Sequence, residues 1–245
     1  MLNKKTCLIL GATSDMAVAT ARLFATLGYE LILCGRDSSG LATLKNELIS
    51  KGASVQIFHF DVLNTAEFHS IITNLEDSCY VVVSFVGCLI DNVKCLEKST
   101  DALNVMNINY TYQVLIFNAL IPLLKRNQGS MLIAVSSVAG DRGRQSNFIY
   151  GSAKAGISEY LSGLRMFLFP YGIHVGTIKP GFVRTKMTRG MKLPPALTSN
   201  PETVAKAIHL AVRKKKNVVY VSGIWRYIMF VIKCIPEFVF KRLKL

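Results

Sequence analysis

At 245 residues the chain can bury a full core as one α/β unit, and it shows no linker, repeat or low-complexity tract that would divide it. Its six cysteines (Cys7, Cys34, Cys79, Cys88, Cys95, Cys234) show no Cys-x-x-Cys spacing, so they read as reduced packing residues of a cytoplasmic protein; no metal site is assigned. A formal net charge of +14 and 51% hydrophobic residues are unusual for a plain cytosolic enzyme, and both trace largely to the C-terminal end.

Val- and Ile-rich runs alternate with longer amphipathic stretches, the pattern of parallel strands buried on both faces and crossed over by helices. This predicts a Rossmann-type doubly wound parallel sheet of about seven strands, with helices on both faces. Strands are expected near 6–10, 30–35, 54–60, 79–86, 129–136, 172–178 and 217–221. Helices are expected near 15–27, 38–51, 65–75, 99–125, 147–169 and 201–213, with a last amphipathic one from 224 onward. The first strand begins almost at once and no charged, apolar, small-residue leader precedes it, so export is not expected. Residues 186–200 lack either period and follow the sixth strand, as a substrate lid would. Residues 1–223 are thus read as a dinucleotide-binding catalytic domain, and 224–245 as a basic amphipathic appendage.

The first strand-to-helix turn carries Gly11, Thr13, Ser14, Asp15 and Met16, placing backbone N–H groups and the helix dipole where a pyrophosphate can bind. Asp15 and Ala17 stand where second and third glycines are usual. An acid there would repel the ligand, so the Asp15 carboxylate is expected to turn away and cap the helix. The second strand ends in Arg36-Asp37, where an Arg favours the 2′-phosphate of NADP(H) and an acid the free hydroxyl of NAD(H). Arg36 comes first and favours NADP(H); Asp37 leaves NAD(H) as the alternative. Asp61 and Val62 end the third strand, where Asp61 either meets the adenine or is a simple turn residue.

Tyr150 and Lys154 are spaced to share a helix face, and Ser137 ends the apolar run before it. Read as chemistry, the Lys154 ammonium is expected to lower the phenol pKa so that Tyr150 donates a proton, while Ser137 bonds an oxygen on which charge develops. An isolated pair of this kind is more often an ordinary helix surface. The ordered company of Gly11, Asp61 and Pro180-Gly181 reverses that weighting.

With these residues the chain resembles the short-chain dehydrogenase/reductase family over nearly its whole length. The resemblance rests on the Gly11 turn, Asp61, Asn109, Ser137, Tyr150-x-x-x-Lys154 and Lys179-Pro180-Gly181-Phe182-Val183-Arg184-Thr185. It implies Tyr150 as acid/base, Lys154 as a second holder of the nicotinamide ribose, Ser137 polarising the carbonyl, and Asn109 holding a relay water. It also implies nicotinamide contacts from Pro180, Val183 and Thr185, and a homodimer or homotetramer built through the helices at 99–125 and 147–169. Val83-Ser84-Phe85-Val86-Gly87 departs from the usual Asn-Asn-Ala-Gly, with Gly87 keeping the cofactor-side glycine. That departure, with Ser136 to Arg144 and Trp225-Arg226, is similar to a narrower group, the decaprenylphosphoryl-D-erythro-pentofuranosid-2-ulose 2-reductases, which act on a keto sugar carried by a polyprenyl phosphate.

Residues 201–245 hold ten Lys or Arg against Glu202 and Glu237, a net of +8. From Ile224 a helix would gather Arg226, Lys233, Glu237, Lys241 and Lys244 into one polar stripe, leaving the rest mostly apolar. The uncharged run is too short to span a bilayer and contains Pro236, so lying on an anionic inner-membrane face as a peripheral protein is the preferred reading. A dimer interface or a cleft wall are the alternatives. Arg213 to Lys216 lack interleaved aromatics, and no nucleic-acid partner is expected. The functional expectation is an NADP(H)-dependent carbonyl reductase acting on a small-molecule or lipid-linked ketone. A 3-oxo-lipid or sterol ketone, or a non-catalytic nucleotide sensor, stand as alternatives.

Overall fold

The computed structural model describes residues 5–75 and 79–243, with Cys79 and Tyr80 described by backbone alone. The strands are β1 (Thr6–Leu10), β2 (Glu30–Gly35), β3 (Val55–His59), β4 (Cys79–Ser84), β5 (Met131–Val135), β6 (His174–Lys179), β7 (Phe182–Val183), β8 (Thr198–Ser199) and β9 (Val218–Tyr220). Seven of them form one sheet in the order β3-β2-β1-β4-β5-β6-β9, and every pairing is parallel. β1 and β5 are buried at every position, which is why their sequences are unbroken apolar runs and not alternating ones. The order reverses direction between β1 and β4, and that switch point opens the crevice in which ligands of such sheets bind.

Helices α1 (Asp15–Thr26), α2 (Ser38–Ile49), α3 (Ala66–Asn74), α4 (Asn92–Glu97), α5 (Ser99–Met106), α6 (Tyr112–Arg126), α7 (Phe148–Leu168), α8 (Pro201–Lys214), α9 (Ile224–Cys234) and α10 (Glu237–Phe240) cover the sheet. Phe24, Leu41 and Ile208, from α1, α2 and α8, pack on one sheet face. Ile71, Phe117 and Leu161, from α3, α6 and α7, pack on the other.

Three expectations need correction. The helix expected at 99–125 is interrupted by a π turn at Asn107–Thr111, and α4 precedes it unanticipated. The lid is not wholly irregular: it contains two short 3₁₀ turns, and β7 and β8 form a miniature parallel pair that ties its end back. The final segment is not one helix. Pro236 lacks an N–H and forces the residue before it out of the α region, so α9 stops at Cys234, with Ile235 extended at φ −65° and ψ 123°. The single polar stripe is broken there, and Lys244 lies outside the described residues.

Arg142 closes the break. Its guanidinium donates to the carbonyls of Ile232 (2.5 Å) and Ile235 (2.6 Å), pairs with Glu237 at 2.9 Å, and stacks 3.7 Å from the Phe240 ring centroid. A cation at a helix C-terminus satisfies the orphan carbonyls and the dipole together. Upstream, Trp225 and Met229 bury themselves against Val138, with Phe182 and Leu197 alongside. The seat for Trp225 exists because residue 181 is glycine: a Cβ there would lie 1.9 Å from the indole.

Candidate functional site

The carboxyl ends of β4, β5 and β6, the first turn of α1, the N-terminal half of α7, the lid and α9 line a cleft of 420 Å³. Its walls include Met16, Gly87, Ser137, Tyr150, Lys154, Pro180, Val183 and Thr185, so residues dispersed over the sequence converge on one space. Ser137 leaves β5 and caps a 3₁₀ turn at Val138–Gly140, accepting from the Ala139 amide at 3.0 Å. Tyr150 and Lys154 sit one turn apart on α7.

Lys154 is almost fully buried. Its Nζ donates to the Val135 carbonyl at 3.2 Å and lies 5.7 Å from the centroid of the Tyr150 ring. Burial lowers its pKa to about 8. The expected lowering at Tyr150 does not occur. The phenol reaches the cleft but is enclosed by protein, and that desolvation raises its pKa to about 12, with the neighbouring Ser137 hydroxyl offsetting part of the rise. Desolvation of the would-be phenolate outweighs any help from an ammonium that burial also disfavours.

The Lys154 shift has a consequence for stability. Between about pH 8 and 10.5 the unfolded chain holds a proton the native lysine has released, so stability climbs with pH across that window. Lys154→Met is therefore expected to be more stable than the parent at pH 7, on the order of 3 kcal/mol at about 1.4 kcal/mol per unit, with the gap closing toward pH 10.5. Urea unfolding at pH 7 and 10 measures it, and a parent more stable than the variant at pH 7 refutes it.

Asn109 is wholly buried in the π turn. Its Nδ2 donates to the carbonyls of Cys88 (2.8 Å) and Val105 (2.9 Å), and its Oδ1 accepts from the Cys88 amide at 3.3 Å. Its backbone carbonyl accepts from Gln113 at 2.9 Å. A Cβ at Gly87 would lie 2.9 Å from Asn109 Oδ1 and 3.3 Å from Lys154 Nζ, so a bare glycine keeps a shallow cradle open over both groups.

On the nucleotide side, Gly11 has φ +74°, and a side chain there would press on the Phe85–Val86 peptide at 3.2 Å. Ser14, not Asp15, is the helix cap, accepting from the Ala17 amide at 3.2 Å. Asp15 does turn away from the turn, but toward the lid, where it accepts from the Lys186 amide at 2.5 Å. Serine one position earlier already has the cap geometry, which leaves the acid free for that tether. Thr13 lies beside Gly35 and Gly40 near the end of β2, and Arg36 there is exposed. Asp37 caps α2, holding the Gly40 amide and the Ser39 hydroxyl, and these bonds lower its pKa. Asp61 accepts from the Leu63 amide at 3.0 Å, which is the turn role, and Val62 is buried beside it.

The residues present fit a dinucleotide: a glycine turn opening onto an N-terminal helix end, an exposed cation at the end of β2, and the Gly87 cradle facing Lys154. Arg144, Met191 and Trp225 also line the cleft and were not singled out as site residues from sequence. Sequence places Arg144 and Trp225 only in stretches that carry the narrower resemblance and Met191 only in the lid, and it does not display the contact of Trp225 with Gly181.

The described residues contain no helix long and apolar enough to cross a membrane. In comparison with known proteins, the chain is 34% identical to an uncharacterized oxidoreductase in the mprA 5′ region of Streptomyces coelicolor, over 98% of this chain and 96% of that protein. A short chain dehydrogenase from Burkholderia cenocepacia in complex with NADP superposes with a TM-score of 0.85 over 100% of both chains at 18% identity. One from Burkholderia phymatum in complex with NAD gives 0.83 at 20% identity over 94% of each. The pattern of the short chain dehydrogenase family matches residues 5–194, and the chain belongs to that family of oxidoreductases.

Proposed function

We propose that the protein is an NADP(H)-dependent carbonyl reductase that takes a lipid-linked ketone, a polyprenyl-phosphate keto sugar being the preferred class, at an anionic membrane surface. The observation that carries this reading is a cleft in which Ser137, Tyr150 and Lys154 face Trp225, the buried anchor of the basic C-terminal segment. A nicotinamide bound along the Gly11 turn, Gly87 and Pro180 to Thr185 would supply hydride to the carbonyl carbon. Ser137 and Tyr150 would hold the carbonyl oxygen. A phenol whose pKa is about 12 remains loaded with its proton at neutral pH, and an alkoxide is a stronger base than a phenolate, so transfer from Tyr150 runs downhill. Lys154 then stabilises the phenolate and passes a proton back to it, and would itself be resupplied from solvent through a water held at Asn109. Asp37 is committed as a cap, which leaves Arg36 to favour a 2′-phosphate.

The surface supports the membrane part. Tyr227, Phe230, Val231 and Phe238 are exposed on α9 and α10, and Arg226, Lys233, Lys241 and Arg242 flank them. Glu237, the acid of this segment, is already paired with Arg142. Each buried aromatic contributes about 1.5–3 kcal/mol and each cation near anionic lipid roughly 1 kcal/mol. The exposed Leu103, Leu115, Met166 and Phe167 lie on α5, α6 and α7, where a homodimer or homotetramer would form.

Purified protein with NADPH and a polyprenyl-phosphate keto sugar in phosphatidylglycerol vesicles is expected to consume cofactor, with NADH at least tenfold poorer. Tyr227→Glu/Phe230→Glu is expected to cut vesicle cosedimentation by about 100-fold. A preference for NADH overturns the cofactor assignment, and unchanged sedimentation overturns the membrane one. Turnover restricted to 3-oxo-lipids or sterol ketones selects the alternative substrate. Cofactor binding with no consumption across all of them selects a nucleotide sensor.

A further inference from the structure

The mechanism leaves one cation of the cleft unused. Arg144 lines it, and its Nε is buried without a hydrogen-bond partner. The rest of the guanidinium is poorly served: Nη2 reaches only the Val138 carbonyl at 3.4 Å and the Met229 sulfur at 3.0 Å. No carboxylate forms an ion pair with it among the described residues, and Asp141 acts on it only at longer range. The obvious candidate, Asp141, has one oxygen on Lys179 at 2.5 Å and the other on the Tyr220 hydroxyl at 2.6 Å. Asp91, the acid among the lining residues, accepts from the amides of Val93 and Lys94.

A guanidinium stays charged in any protein, and placing one partly out of water with an idle donor is costly unless a negative group completes it. Two neighbours point the same way. Asn147, in the same wall, has its Oδ1 buried and unpartnered, and rotating the amide by half a turn would offer Nδ2 instead. Lys192 reaches the cleft from the lid. The same cleft also brings up the apolar side chains of Leu89, Ile90, Met191, Leu193 and Trp225. Arg144 is separate from Arg36 and the Gly11 turn at the ends of β1 and β2, which the cofactor phosphates would take.

We infer that Arg144, with Lys192 and Asn147, forms an anion subsite for a phosphate or phosphodiester carried next to an apolar portion of the substrate. The inference deepens, and rests on, the lipid-linked ketone reading. A planar guanidinium suits it because it binds two oxygens of a phosphate at once.

Trp225 is the only tryptophan of the chain and lines the cleft, so its fluorescence reports occupancy without turnover. Octyl phosphate is expected to bind at least tenfold more tightly than octan-2-one and than inorganic phosphate. Arg144→Gln should bring the octyl phosphate to octan-2-one ratio close to one. Arg144→Lys should keep part of it, and Lys192→Ala, on the exposed lid, should lower it about threefold. Should Arg144→Gln fail to fold in a thermal melt, the other two variants carry the test. Equal affinities in the parent protein, or a ratio unmoved in every folded variant, overturn the subsite. Inorganic phosphate binding as tightly as octyl phosphate overturns its apolar half. Failure of every ketone to oxidise NADPH would instead remove the reductase reading, and leave this binding result where it stands.

Discussion

Tyr150→Phe is expected to reduce ketone turnover by about 10³- to 10⁴-fold, the upper range for loss of a positioned proton donor. The change deletes one hydroxyl and keeps the ring, so the packing of α7 should be preserved and the melting temperature nearly unchanged. Ser137 keeps its place in the variant through the bond it accepts from the Ala139 amide, which does not involve Tyr150. Cofactor affinity should stay within about twofold, since Lys154 holds its place through the Val135 carbonyl and not through Tyr150. The split between intact binding and lost chemistry separates a catalytic role from a structural one. Stopped-flow NADPH oxidation with fluorescence titration of the cofactor measures both. Turnover within tenfold of the parent would mean that another group protonates the oxygen.

The direction of the Tyr150 shift marks where sequence ceased to be informative. The spacing to Lys154 was legible because a helix places positions four apart on one face, and the central sheet strands were legible because burial on both faces writes apolar runs. The edge strands β3 and β9 are partly exposed and carry the pattern less fully. The electrostatic outcome was not legible, because it depends on how much protein encloses the phenol and the ammonium, a three-dimensional quantity. Asp15 shows the same limit at shorter range. Its neighbour Ser14 is an equally good cap and takes that role, and the partner left to Asp15 is a lid amide 171 positions away. Pro236 announced the break in the final helix, but the guanidinium that stabilises it belongs to Arg142, some 90 residues earlier. Arg144 was invisible as a site residue for the same reason. Its significance lies in Asp141 being already occupied by Lys179 and Tyr220, and sequence cannot say which cation an acid has chosen.

Gly140→Ala should be the most damaging single methyl added to this protein near the cleft. A Cβ at Gly140 would lie 2.6 Å from the carbonyl carbon of Lys154 and 2.7 Å from both its oxygen and the Ala155 nitrogen, well inside normal contact. The obstacle is helix backbone, which cannot rotate aside as a side chain can. The contact is also tied shut: Ser136, next to the turn, donates to the Lys154 carbonyl at 2.9 Å and lies 2.8 Å from the Ser158 hydroxyl on the same helix. Relief therefore requires the turn carrying Ser137 to separate from the helix carrying Tyr150 and Lys154. Overpacking of this kind costs about 1–3 kcal/mol, which for a chain of this length lowers Tm by roughly 3–10 °C. The larger effect falls on chemistry, because a displacement near 1 Å between groups that must share one oxygen costs about 100-fold in rate. Gly143→Ala is the matched control, since a Cβ there meets nothing within 4 Å and the residue lies only three positions on. The expected result is a Gly140→Ala protein with a lower Tm and kcat reduced about 100-fold, beside a Gly143→Ala protein close to the parent in both. Equal behaviour of the two variants would mean that the close approach of turn and helix is not maintained in solution, and the preorganisation of Ser137 against Tyr150 would lose its structural basis.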